Sequence, residues 1–267
     1  LGRFHENTGS YYANLLQEEI ETQGPENVAA FLAEPITGTS GGAIVPPEDY
    51  WPKVREICDR YGVILVMDEV MTGFGRTGSK FGYQHWPIEP DILVGGKGLA
   101  GGYAPLGGVF ATEKIGSAIE SAGFQVMFNT FGAHPAACAA ATEVLNIMQE
   151  ENLVESAKVK GEYLLERLND SLSQHPNLGE VRGKGLLAAV ELVKDRETLE
   201  HFPEELSITD KIVSRGLKKG VFFYGGGTGN VRDLVCFGPT FTITESQLDQ
   251  VVDTFIDCVN DVIGNIE

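Results

Sequence analysis

The chain has 267 residues, 42% of them hydrophobic, enough to bury a sizeable core and pointing to one large domain and a smaller one. Its formal charge of -18 repels polyphosphate, which weighs against a nucleic-acid partner; no apolar stretch reaches the roughly 18 to 20 residues that cross a bilayer. The four cysteines (Cys58, Cys138, Cys236, Cys258) lie far apart in apolar patterns with neither zinc spacing nor a disulfide framework, which fits a reducing, cytoplasmic setting and no metal.

The chain opens on Leu1-Gly-Arg-Phe and enters a helical pattern (Tyr12, Leu15, Leu16, Glu19, Ile20) almost at once, so a fragment entered mid-domain is expected. Residues 28–33 then predict a buried strand. Residues 47–61 predict a helix with Glu48 and Asp49 in its first turn and Gly62 as its stop, and 63–67 a second strand. Short strands follow at 92–94 and 108–111, so the first half reads as a largely parallel sheet covered by helices. Two helices are expected from Pro135 to about Gln149 and from Leu153 to about Leu172. Beyond Pro176 the pattern predicts strand (186–192), helix (208–218), strands (221–224 and 234–237) and a last helix. Thr244 and Gln247 have capping-box spacing at its start, and Leu248, Val251, Val252, Phe255, Ile256, Val259 and Ile263 form its apolar stripe. The glycine cluster from Gly225 to Gly229 is expected to be a mobile loop. The second half reads as a small α+β domain.

Two positions carry chemistry. Lys97 follows the apolar run Asp91-Ile-Leu-Val-Gly-Gly and precedes Gly98-Leu-Ala-Gly-Gly, a setting poor for solvating an amine and good for using one. The acidic pair Asp68-Glu69 ends the apolar run 63–67, where a carboxylate at the end of a buried strand must find a cationic partner or protonate. Together they predict a lysine and an aspartate facing one ligand.

The run Val66-Met-Asp68-Glu69-Val70-Met-Thr-Gly73-Phe-Gly75-Arg76-Thr-Gly78 is followed, twelve residues later, by Asp91-Ile-Leu-Val-Gly-Gly96-Lys97-Gly-Leu-Ala-Gly101-Gly102. This arrangement resembles the signature of the class III pyridoxal-phosphate-dependent aminotransferases, in particular the omega-transaminases. Ala33-Glu34-Pro35-Ile-Thr-Gly38 upstream and Phe128-Asn-Thr130-Phe-Gly-Ala-His134-Pro135 downstream extend the likeness over nearly the whole chain in the family's order. The resemblance implies the α/β transferase fold type I. Residues 1–150 would be the C-terminal part of the large, cofactor-binding domain and 151–267 the small domain. It also implies that a segment ahead of Leu1, which in the family grips the cofactor phosphate and stacks an aromatic ring on the cofactor, is missing, together with a large-domain strand.

By that resemblance Lys97 forms a Schiff base with the aldehyde of pyridoxal 5'-phosphate (PLP) and shuttles a proton between substrate and cofactor carbons. A glycine-lined, partly desolvated site would favour its neutral form. Asp68 would keep the pyridine nitrogen protonated through a charge-assisted hydrogen bond. Val70 would pack on a ring face, and Thr130 would reach the cofactor phosphate of the partner subunit in a homodimer, beside a helix start. The alternative for each is ordinary: a surface lysine, a turn carboxylate, a core valine, a turn threonine. Glu69 would orient a loop or the cofactor's phenolic oxygen network, or pair with a local cation. The glycine-rich turn is expected to be structural, with Arg76 either tying it down or standing as a surface arginine, and His134 is expected to be structural.

Substrate recognition is less legible. Where family members that act on acidic substrates carry a fixed arginine, this chain has Cys236 within Leu234-Val-Cys236-Phe-Gly-Pro239. Arg232 is the candidate for a swinging arginine that serves a keto acid and retracts for a hydrophobic amine; a solvated loop arginine is the alternative. Glu34 would answer it or hold a neighbouring loop. The implied reaction moves an amino group from an amine or omega-amino acid to a keto acid such as pyruvate or 2-oxoglutarate. An aminomutase, racemase or decarboxylase would use the same lysine and aspartate, and a non-catalytic fragment stands as the remaining rival. A phosphate-binding loop at Gly95-Gly-Lys97-Gly fails, because no serine or threonine follows the lysine and the glycine spacing is wrong.

Overall fold

The computed structural model describes residues 8–123, 129–229 and 231–266. They divide into two compact units: the first holds 8–35, 46–75, 79–123 and 129–151, the second 36–45, 76–78, 152–229 and 231–266.

The first unit opens with helix α1 (Thr8–Gln23), which packs on α2 (Tyr50–Tyr61). Asp49 precedes α2, and its carboxylate accepts from the Ser10 amide and hydroxyl, both at 2.6 Å. Trp51, Val54, Ile57 and Cys58 make the buried face of α2 at helical spacing, and Gly62 ends the helix in the left-handed region at φ 69°. Strands β1 (Ala30–Ala33), β2 (Ile64–Asp68) and β3 (Ile92–Gly95) lie parallel in that order. Strand β4 (Gly108–Ala111) runs antiparallel to β3, with Gly95 opposite Gly108. Helices α3 (Glu113–Ser121) and α4 (Pro135–Glu150) complete the unit.

In the second unit α5 (Leu153–Leu172), α6 (Ile208–Lys218) and α7 (Glu245–Ile263) belong with an antiparallel sheet of order β5-β6-β8-β7. Its strands are β5 (Leu178–Lys184), β6 (Leu187–Leu192), β7 (Tyr224–Gly226) and β8 (Leu234–Phe237). One core joins them, with Leu164, Leu168, Ala188, Val190, Phe223, Val235 and Phe255 among its buried members. The capping box at Thr244 and Gln247 is present.

The structure corrects several expectations. The strand expected at 28–33 as buried is an edge strand of four residues, and Leu32 is 59% exposed, because among the described residues it pairs with β2 alone. Helix α1 buries Gly9, Ala13 and Ile20 and leaves Tyr12 and Leu15 exposed, so its packed face is rotated from the apolar stripe. The glycine cluster is partly strand, since Gly225 and Gly226 pair with Val235 and Leu234. At 221–224 only Tyr224 joins the ladder, although Val221 and Phe223 are buried. Helix α3 and strand β5 add to the expected elements; Ile115, Ala118 and Ile119 give α3 helical spacing over only nine residues, while β5 carries too many small and charged residues for a clear alternation.

Candidate active site

Three parallel strands end side by side, and their ends collect the candidate residues. Ala33 is level with Met67 and Asp68 with Val94, so Glu34, Asp68 and the Gly95-Gly96-Lys97 turn all follow the C-terminal edge of β1, β2 and β3. In open α/β sheets that edge is where loops diverge and ligands bind.

Lys97 leaves the strand in the left-handed region, with φ 38°, and starts a short 3-10 turn to Ala100. Its neighbours are set by missing side chains. A methyl group added to Gly96 would lie 3.8 Å from both Val70 methyls, which puts Val70 against the lysine's own turn. One added to Gly95 would meet the Phe74 ring at 2.9 Å, and one on Gly98 the Phe74 Cβ at 3.2 Å. Phe74 is buried and buttresses the turn from below. The sequence signal for that buttress is the pair of glycines two residues apart around Gly96-Lys97, which leaves room for a large ring. The Lys97 side chain itself is exposed, contrary to the desolvated setting expected, because its glycine neighbours supply no covering side chains.

Asp68 closes β2, half-buried, with Oδ1 accepting the Val70 amide at 3.0 Å. Glu69 is fully buried and does a different task. Its carboxylate accepts the amides of Gly82 and Tyr83, each at 2.8 Å, and the Thr72 hydroxyl. These bonds fit the loop role open to it, and among the described residues no cation pairs with it. Burial pushes its carboxyl up, and the three hydrogen bonds oppose that shift. The segment after Asp68 is thereby closed into a ring whose far side is the turn at 82–83.

Thr130 sits exposed in the turn ahead of α4, where Asn129 O accepts the Gly132 amide; its neighbour Phe128 lies outside the described residues. In the second unit Arg76, left open in the sequence between a turn anchor and a surface arginine, is largely buried. It donates to the carbonyls of Leu186 (3.1 Å) and Pro239 (2.6 Å), lies 4.7 Å over the Phe241 ring, and is pushed down to about 10 by burial. Cys236 is buried in β8 and its thiol is pushed up to about 11, so it is a packing residue rather than a nucleophile. Arg232 is partly exposed, 3.7 Å from Glu204 and 3.9 Å from Asp233. Residues 36–45, which follow Glu34-Pro35, are held by Arg182, whose Nε and Nη2 donate to Gly42 O (2.7 Å) and Gly41 O (3.0 Å). The sequence reading missed Arg182, which also pairs with buried Glu191.

The family model for class-III aminotransferases matches residues 5–259. The chain is a class-III aminotransferase sequence. An uncharacterized aminotransferase of Schizosaccharomyces pombe is 39% identical to it over 97% of this chain and 58% of its own length. The putrescine–pyruvate aminotransferase of Pseudomonas aeruginosa is 39% identical over 94% of this chain and 54% of its own length. Among solved structures, an (S)-enantioselective omega-transaminase from Thermomicrobium roseum superposes with a TM-score of 0.91 at 38% identity, covering 98% of this chain and 57% of that one. The chain thus spans between 54% and 58% of the length of these relatives. The class-III aminotransferase fold is PLP fold type I, and the family depends on PLP. The residues at the strand ends suit that group chemically: a primary amine on a glycine-flanked turn, a carboxylate, and a branched aliphatic side chain between them.

Proposed function

We propose that this protein is a PLP-dependent omega-transaminase that moves an amino group from an amine or omega-amino acid to a keto acid, pyruvate or 2-oxoglutarate, by a ping-pong cycle. The observation that carries this reading is the meeting of Asp68 and the Lys97 turn at the ends of two adjacent parallel strands, in a chain of the class-III family. When bound, the cofactor supplies an electron-accepting ring conjugated to the substrate's carbon–nitrogen bond.

The chain's residues do the rest. Lys97 Nζ would hold the cofactor covalently and, freed as an amine, would carry a proton from the substrate carbon that bears the amino group to the cofactor carbon. Its positive φ and the Phe74 buttress fix where the side chain begins its reach. Asp68, whose Oδ1 accepts the Val70 amide, would hold the ring nitrogen of the cofactor through its carboxylate and keep a proton on it. Val70 supplies an apolar surface for a ring face. Thr130, exposed ahead of a helix N-terminus, would contribute its hydroxyl and amide to the phosphate in the partner subunit of a homodimer. Arg232 and Glu34 set substrate choice, Arg232 by binding the keto acid's carboxylate. Division of labour between a cofactor-binding part at 1–150 and a small domain at 151–267, and a cytoplasmic setting, belong to the same reading.

The test is the visible absorption spectrum of the protein with PLP, before and after an amine donor, followed by borohydride reduction and peptide mapping. A visible band that fades with donor, and a reduced cofactor mapped to Lys97, support the assignment. A reduced adduct on another lysine would sink it.

A further inference from the structure

Arg232 does not end in the pair with Glu204. Glu204 is 87% exposed and 3.7 Å away, and a solvated contact of that length holds a guanidinium only loosely. The other side of the arginine is buried. Its Nε, Asp233 Oδ2 and His201 Nδ1 are three buried atoms without a hydrogen-bond partner among the described residues. Asp233 Oδ2 lies 3.9 Å from Arg232 Nε and 3.7 Å from His201 Nδ1. Those separations are too long for direct hydrogen bonds and short enough for one shared water.

The inventory of donors matches. Arginine Nε–H can only donate and a carboxylate oxygen accepts, while His201 Nδ1 does either by tautomer. A water with two hydrogens and two lone pairs serves all three, and three partners is the usual complement of an internal water. Asp233 is nine-tenths buried and takes φ 57°, a conformation uncommon for residues other than glycine, at the entry to β8. Burial pushes that carboxyl up, while His201, the Phe202 amide and Arg232 favour its charge.

We propose that Asp233 and His201 are positioning residues for Arg232, acting through one shared internal water that orients the guanidinium from its Nε side and leaves its two terminal nitrogens for a substrate carboxylate. This rests on the reading of Arg232 as the arginine that binds the keto acid.

The experiment pairs a crystal structure of the cofactor-loaded protein with steady-state kinetics of Arg232→Ala, His201→Leu and His201→Gln, using pyruvate and a carboxylate-free aldehyde as acceptors. A water within hydrogen-bond distance of all three atoms is expected. His201→Leu should raise KM for pyruvate by about tenfold, the worth of one such hydrogen bond, with the aldehyde KM unchanged. His201→Gln, whose amide still meets the water, should restore it. No water at that position, or equal effects on both acceptors, overturns the proposal. If Arg232→Ala is selective for pyruvate and His201→Leu is not, the positioning role alone fails; if Arg232→Ala leaves the pyruvate KM as it was, the substrate role of Arg232 fails and this inference with it.

Discussion

Lys97 sits at a backbone angle that few lysines adopt, and the cost of φ 38° is tolerated where Phe74 and the flanking glycines define the turn. Replacing it with alanine leaves that turn intact and removes the amine. Lys97→Ala should abolish covalent attachment of the cofactor, checked by borohydride trapping and mass spectrometry; an adduct that persists in the variant would refute the role. Asp68→Asn preserves an acceptor for the Val70 amide but gives up the charge. A charge-assisted hydrogen bond is worth about 1.5–3 kcal/mol, so turnover should fall roughly ten- to a hundredfold while cofactor still binds. Wild-type turnover in stopped-flow half-reactions would exclude the assignment. Glu69 offers a pH test. Its carboxyl lies above the ordinary value of 4.5 in the folded protein because of burial. The stability tied to it is therefore complete below that ordinary value and is lost as pH rises through the folded value. Glu69→Gln cannot ionise and cannot accept both amides of the 82–83 turn. It should be less stable by about 1–3 kcal/mol, and the gap to wild type should narrow with rising pH in urea titrations; a gap independent of pH would contradict the burial argument.

At the scale of elements, close approaches rather than apolar stripes set what can change. A methyl group on Gly161, in α5, would fall 2.1 Å from the carbonyl carbon of Gly185, which turns between β5 and β6. Backbone stands on both sides, so nothing yields by rotating a side chain. Gly161→Ala should therefore cost at least the upper part of the usual overpacking range, about 3 kcal/mol, despite alanine's better helix propensity; a chemical-denaturation midpoint at or above wild type would show that the helix shifts freely. The same scale explains where periodicity misled. In α1 the apolar residues Tyr12 and Leu15 face outward, and the buried positions besides Ile20 are Gly9 and Ala13, small residues that let α1 approach α2. A stripe drawn from hydrophobicity alone cannot register that small residues mark the face of closest packing. Strands β1 and β4, each paired on one side among the described residues, carry exposed Leu32, Val109 and Phe110 for the same kind of reason: pairing, not composition, decides burial at a sheet edge.

For the whole molecule the long-range force is charge. With a net charge of -18 the compact state repels itself. Raising ionic strength from about 0.01 M to about 0.15 M shortens the reach of that repulsion from ~30 Å to ~8 Å, and the thermal midpoint should rise; calorimetry that finds it unchanged or lower would mean that ion pairs such as Arg167 with Asp249 outweigh the repulsion. The sequence by itself determined the family, the strand-helix alternation, the capping box of α7, and Lys97 and Asp68 as the residues to watch. Those features are local: a motif, a period or a cap is written in neighbouring positions. The tertiary structure alone decided that Glu34, Asp68 and Lys97 follow one sheet edge, that Glu69 serves the 82–83 turn, that Phe74 supports the lysine, and that Asp233 and His201 stand beside Arg232. Apart from the adjacent Arg232 and Asp233, these bring together residues separated in the chain, and their partners are chosen by register, burial and backbone approach, quantities that exist only once the elements have packed.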